Sequence, residues 1–123
     1  MRKNYNKMVD WWGLGILIFE MAVGAPPFNH RSNMIVMNDI VHEKFEPRDW
    51  LSSSLQNLLY LLLEKNPKKR LGSPETGGTK AIMSHPFFDG IDWDRVKQRD
   101  YQPPIKPKVK NEGDTRHISK MFL

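Results

Sequence analysis

The sequence predicts an all-α chain, and three of its features carry that expectation. The stretch "MVDWWGLGILIFEMAV" is apolar almost all the way round and runs for about four helical turns. The stretch "SSSLQNLLYLLLE" spaces its leucines along one helix face. No segment alternates apolar and polar residues as a half-buried strand does.

The first helix is expected over residues 9–23. Asp10 lies in its first turn, where a carboxylate favours the positive end of the helix dipole. Gly24, Ala25, Pro26 and Pro27 end it. Its apolar residues leave no polar stripe, so burial on all sides is expected. Gly13 and Gly15 lower its helix propensity and read as packing glycines that admit neighbouring backbone. A second helix is expected over residues 33–42, where Met34, Met37 and Val41 recur at intervals of three and four. Ile35, Val36 and Ile40 lie beside them. "EKFEPRDW" then reads as a loop.

Residues 52–64 form the clearest amphipathic helix. Serines supply its N-cap, and Leu55, Leu58, Leu59 and Leu62 its inward stripe. "NPKKRLGSPETGG" is loop by composition. A short fourth helix is expected over residues 79–84, before "HPFFDGIDWD". From Arg99 onward neither periodicity is present, and an extended tail is expected.

With 123 residues the chain is sized for one small domain. It has no cysteine, which excludes disulfides and thiolate metal sites and fits a reducing compartment. Its four histidines are scattered without zinc-ligand spacing, so no metal site is expected. The net charge of +5 gathers in "KNPKKR" and "KPKVK". Neither run has interleaved aromatics, so both read as solvated basic faces, and no nucleic-acid partner is expected. The N-terminus is polar and shows no apolar leader. The apolar helix is interrupted by Glu20 and falls short of the roughly 20 uncharged residues of a membrane span. The expected location is cytoplasmic, with the nucleus as an alternative.

Two acids on so apolar a helix need an explanation. Asp10 and Glu20 are ten residues apart, a separation of about 15 Å along the axis. A carboxylate pair acting on one bond needs about 5 to 10 Å. Their directions also differ by about 80° around the helix. They therefore serve two separate sites, each facing something polar that the chain does not obviously supply.

"DWWGLGILIFEMAVGAPPF", "NPKKRLGS", "HPFF" and "PPIKPKV" follow one another in an order that resembles the large, C-terminal lobe of a serine/threonine protein kinase. The AGC group is the most similar, and the resemblance covers residues 5–122. It implies a helical C-terminal portion of the large lobe over residues 1–89 and the start of the AGC tail over residues 90–123. Asp10 matches the aspartate that accepts hydrogen bonds from the catalytic-loop backbone; the plain alternative is a helix-terminal acid. Glu20 matches an acid that binds a substrate arginine upstream of the phosphorylated residue. An internally satisfied carboxylate is its alternative. Arg70 matches the arginine that pairs with the glutamate of the Ala-Pro-Glu motif, or else is an exposed member of the basic run. "HPFF" resembles a packing motif, and Trp93 the start of the tail. "PPIKPKV" resembles the tail's proline motif, with a polyproline ligand for another domain as the alternative. "DTRHISKMF" resembles the family's "DTSNFD" segment, with Ile118 where that segment carries an aromatic that approaches the adenine pocket.

The resemblance also marks what the sequence does not contain. The Gly-rich loop, the Val-Ala-Ile-Lys strand, His-Arg-Asp, Asp-Phe-Gly and Ala-Pro-Glu are absent from it. No catalytic, cofactor-binding or metal-binding residue is therefore expected in this chain; ATP and Mg2+ are expected of a complete kinase. The expected partners are the missing N-terminal part of the kinase domain and a protein substrate with basic residues upstream of Ser or Thr. The chain reads as an inactive fragment of such an enzyme, with a pseudokinase-like interaction module as the alternative. Loss of a buried ion-pair partner costs about 3 to 5 kcal/mol, against a domain stability of about 5 to 15 kcal/mol. With Asp10 and Arg70 both deprived, a weakly folded, aggregation-prone isolated chain is expected.

Overall fold

Helices α1 (Met8–Val23) and α3 (Ser53–Leu62) lie against each other along the seam around which the core assembles. The structure, a computed structural model, describes residues 7–122. Helix α2 (Asn33–His42), the short α4 (Gly78–Met83) and α5 (Trp93–Lys97) complete the α-helices, with single 3-10 turns at Pro74–Thr76, Pro86–Phe88 and Lys120–Phe122. No strand occurs among the described residues, and the expected all-helical class is found. The chain divides into two units, one ending at Gly90 and the other beginning at Ile91.

In the first unit, α1 ends where Gly24 turns left-handed at φ 83° and donates its N–H to the Glu20 carbonyl at 2.8 Å. Ser52 caps α3 by accepting the Leu55 N–H at 3.3 Å. Leu55, Leu58, Leu59 and Leu62 are all buried, as their spacing predicts. They meet Ile18 and Phe19 of α1, Leu71 and Ile82. The loop after α2 adds Phe45 and Leu51. Phe45 sets the edge of its ring to Phe19, with centroids 5.7 Å apart.

The two glycines of α1 separate in role. A Cβ on Gly15 would lie 2.9 Å from Leu63 Cδ2 and 3.0 Å from Leu62 Cβ, so Gly15 sets how closely α1 approaches α3. Gly13 has no such neighbour within 4 Å, so only one of the two is a packing glycine here.

The expected burial of α1 on all sides is not what these residues build. Val9, Leu17 and Met21 are 48%, 53% and 70% exposed. The core lies along one flank of the helix, on Met8, Gly15, Ile18 and Phe19. Helix α2 buries no residue at all, and Met34, Met37 and Val41, the predicted stripe, face solvent. Val36, Asp39 and Ile40 are the half-buried ones.

The turn after Leu71 is closed by hydroxyls. Ser73 is fully buried; its Oγ donates to the Lys68 carbonyl at 2.8 Å and accepts the Thr76 N–H at 3.2 Å. Further on, His85 is buried, and its Nδ1 accepts the Phe87 N–H at 3.2 Å. That role leaves the proton on Nε2, which donates to Asn57 Oδ1 at 2.9 Å. Burial pushes the imidazole pKa below its ordinary 6.5, against the opposing charge of Asp89.

The second unit holds a helix that the sequence reading placed nowhere. Asp92 caps α5 by accepting the N–H groups of Asp94 and Arg95 at 3.0 and 3.1 Å. Arg95 pairs with Asp100 at 2.8 Å and lies 4.5 Å over the Tyr101 ring. Beyond it no α-helix forms among the described residues, although the tail expected to be extended holds the 3-10 turn at Lys120–Phe122. Asp114 gathers the Lys110 N–H at 2.6 Å, the Arg116 N–H at 3.1 Å and the Arg116 Nε at 2.8 Å. The Lys110 N–H foremost, then Arg116, holds its carboxyl below the usual carboxylate range.

Three outcomes follow from this packing. In urea unfolding, Gly13→Ala is expected to stabilise the chain by about 0.5 to 1 kcal/mol through helix propensity. Gly15→Ala is expected to destabilise it by about 1 to 3 kcal/mol through overpacking against Leu62 and Leu63. The His85 imidazole is neutral in the fold, whereas an unfolded histidine takes up a proton as pH falls through about 6.5. Stability is therefore full above that pH and declines below it, toward the lowered folded-state pKa. The urea midpoint should drop between about pH 7.5 and pH 5.5, and His85→Gln should flatten that dependence.

Candidate functional site: a buried arginine and an uncovered helix face

The start of α1 and the loop that follows α3 converge on the guanidinium of Arg70. Its residue is only 6% exposed. Nη1 donates to the Met8 carbonyl at 2.6 Å, Nε to the Glu64 carbonyl at 2.9 Å and Nη2 to the Lys65 carbonyl at 3.3 Å. The group lies 5.1 Å from the Trp12 ring centroid. Local sequence explains the geometry. Asn66 accepts the Lys68 N–H on its side chain and the Lys69 and Arg70 N–H groups on its carbonyl, which curls "NPKKR" back toward α1. Burial lowers the Arg70 pKa and the charge of Glu64 partly restores it. No carboxylate oxygen lies within ion-pair distance of this buried cation among the described residues.

Lys65 is the second inward cation. Its Nζ donates to the Ile40 carbonyl at 2.5 Å and the Asp39 carbonyl at 3.4 Å, which ties the end of α2 to the end of α3. It also lies 4.4 Å from the Phe28 ring centroid and 5.1 Å from that of Trp12, two rings stacked at 6.0 Å. Burial lowers its pKa, opposed by Glu43 and Asp39. The reading of "KNPKKR" as a solvated face therefore holds for Lys68 and Lys69 and fails for Lys65 and Arg70. Lys65 was missed as a partner of the aromatic pair, because a lysine that begins a basic run gives no sign that it turns inward. Beside the two cations opens a groove of about 390 Å³ whose apolar wall is Val9, Trp12, Ile40 and Val41.

Asp10 and Glu20 are both exposed, near opposite ends of α1. Neither carboxylate has a hydrogen bond or ion pair among the described residues. Asp10, Glu20 and Arg70 are thus not joined into one constellation. The Trp11 indole N–H is buried and lacks a partner among the described residues. No cluster of potential metal ligands and no helix able to cross a membrane occurs among them either.

Residues 1–88 match the protein kinase domain model. The chain is 40% identical over 119 residues to protein kinase C-like 1B of Caenorhabditis elegans, covering 96% of this chain and 17% of that protein. It is 42% identical over 119 residues to the serine/threonine-protein kinase SCH9 of Saccharomyces cerevisiae, covering 96% and 14%. With the serine/threonine-protein kinase gad8 of Schizosaccharomyces pombe the identity is 40% over 118 residues, covering 96% and 20%. The chain belongs to the protein kinase family. Its relatives place it in the AGC group, and its all-helical fold is consistent with a fragment of the helical lobe of such a kinase. It spans no more than a fifth of these three relatives.

Removal of the guanidinium would take one donor from each of the Met8, Glu64 and Lys65 carbonyls. Arg70→Ala is expected to cost about 2 to 5 kcal/mol in urea unfolding. Arg70→Lys should recover only part of this, because one ammonium cannot span the same fork.

Proposed function

We propose that this chain forms part of an AGC-group serine/threonine kinase that transfers the γ-phosphoryl of ATP to Ser or Thr in a basic sequence context. In this reading residues 1–89 complete the large lobe and residues 90–123 begin the tail. Asp10 anchors the catalytic loop by accepting its backbone N–H groups. Glu20 binds a substrate arginine, for which a carboxylate is the natural bidentate partner. Arg70 holds the end of the activation segment through its Ala-Pro-Glu glutamate. ATP and Mg2+ are bound by the remainder of the kinase domain, whose motifs this sequence does not contain, so the chain by itself is inactive.

The observation that supports this reading most strongly is α1. Its two carboxylates are unpaired among the described residues, while Val9, Leu17 and Met21 on the same helix stay exposed. A helix with this composition is usually enclosed. The buried Arg70 points the same way, since a desolvated cation served only by carbonyls is stabilised by a carboxylate.

The test is reconstitution. This chain should transfer no phosphate from ATP to a basic serine peptide. Joined to the upstream kinase-domain segment of SCH9, it should do so. In that chimera Glu20→Gln should lower kcat/KM about 10- to 100-fold for a peptide with an upstream arginine, the worth of one charge-assisted pair. A peptide lacking that arginine should be little affected. Turnover by the isolated chain, or an active chimera indifferent to Glu20, would refute the assignment.

A further inference from the structure

Two serines in the chain follow an arginine by three residues. They are Ser73 in "RLGS" and Ser119 in "RHIS". As sequence they are equivalent, but the fold treats them oppositely. Ser73 is fully buried, its hydroxyl is spent on the Lys68 carbonyl, and Arg70 is folded onto the Met8, Glu64 and Lys65 carbonyls. No enzyme can reach either residue without unfolding the turn. Ser119 is exposed, and its Oγ only accepts the Met121 N–H at 3.4 Å.

The surroundings of Ser119 suit entry into an enzyme cleft. Its neighbouring backbone bonds are local turns, from the Ile118 N–H to the Thr115 carbonyl at 2.8 Å and from the Phe122 N–H to the Ser119 carbonyl at 2.9 Å. Arg116 is held by Asp114, whose side chain is 11% exposed, but the Arg116 side chain itself is 37% exposed. A surface pair of this kind is worth little and opens readily. The segment can extend without disturbing any buried group. A phosphate on Ser119 would place an anion near Arg116, His117 and Lys120 in the sequence.

We infer that Ser119, and not Ser73, is a phosphoacceptor for a basic-directed serine/threonine protein kinase. Such an enzyme recognises Arg116 through its own carboxylates. The Ser119 Oγ attacks the γ-phosphorus of the MgATP that this enzyme brings. The new Oγ–P bond forms as the bond from the γ-phosphorus to the β,γ-bridging oxygen breaks. ADP leaves with that electron pair, and the hydroxyl proton passes to the modifying enzyme's base and on to water. The product is a phosphomonoester of charge about −1.5 to −2 at neutral pH, able to draw Arg116 away from Asp114. None of this requires the chain itself to act as a kinase.

The experiment exposes the full chain to MgATP and the catalytic subunit of cyclic-AMP-dependent protein kinase, with sites and initial rates read by mass spectrometry. Phosphate is expected on Ser119 at least tenfold faster than on Ser73. Arg116→Ala should slow Ser119 at least tenfold, and Arg116→Lys should slow it less. Both substitutions lie in the exposed tail and leave the helical core intact. Absence of phosphate on Ser119, labelling of Ser73 at an equal rate, or an Arg116→Ala rate equal to that of the unaltered chain would each overturn the assignment.

Discussion

The guanidinium of Arg70 is the tie on which the first unit depends. It joins the first turn of α1, through the Met8 carbonyl, to the end of α3, through the Glu64 and Lys65 carbonyls. An arginine suits this place because its planar fork reaches three acceptors from one rigid group. The Glu64 and Lys65 carbonyls lie just past the end of α3, where intrahelical donors run out. The buried cation satisfies them and ties them to the first turn of α1, and the apolar flanks of the two helices form the core.

Lys65 plays a parallel part a few residues earlier. It binds the carbonyls that end α2 and faces the Phe28 and Trp12 rings. Together the two cations make the basic loop a clamp around Trp12, while Lys68 and Lys69 between them remain exposed. Apolar surface is left exposed on α2, at Met34, Met37 and Val41, and on the far flank of α1, at Val9, Leu17 and Met21.

The second unit rests on smaller, charge-assisted contacts. Asp92 caps α5, Arg95 holds Asp100 and Tyr101, and Asp114 closes the turn that carries Arg116. These are surface interactions of modest individual worth. They give the tail local form and leave Ser119 accessible.

The α1, α2, α3 and α4 positions and the leucine stripe were legible in the sequence, because helical period and end signals are local properties. So was the family, through motifs whose order depends only on the chain. Asp92 offered a cap signal for α5 that went unread beside "HPFFDG", since a five-residue helix has no period to confirm it. Which face of α2 turns outward, which of Gly13 and Gly15 packs, and which members of the basic run turn inward were decided only by tertiary structure. Each depends on what lies opposite the residue, and that neighbour comes from a distant part of the chain. The two Arg-x-x-Ser sites make the same point: composition makes them alike, and only burial tells them apart.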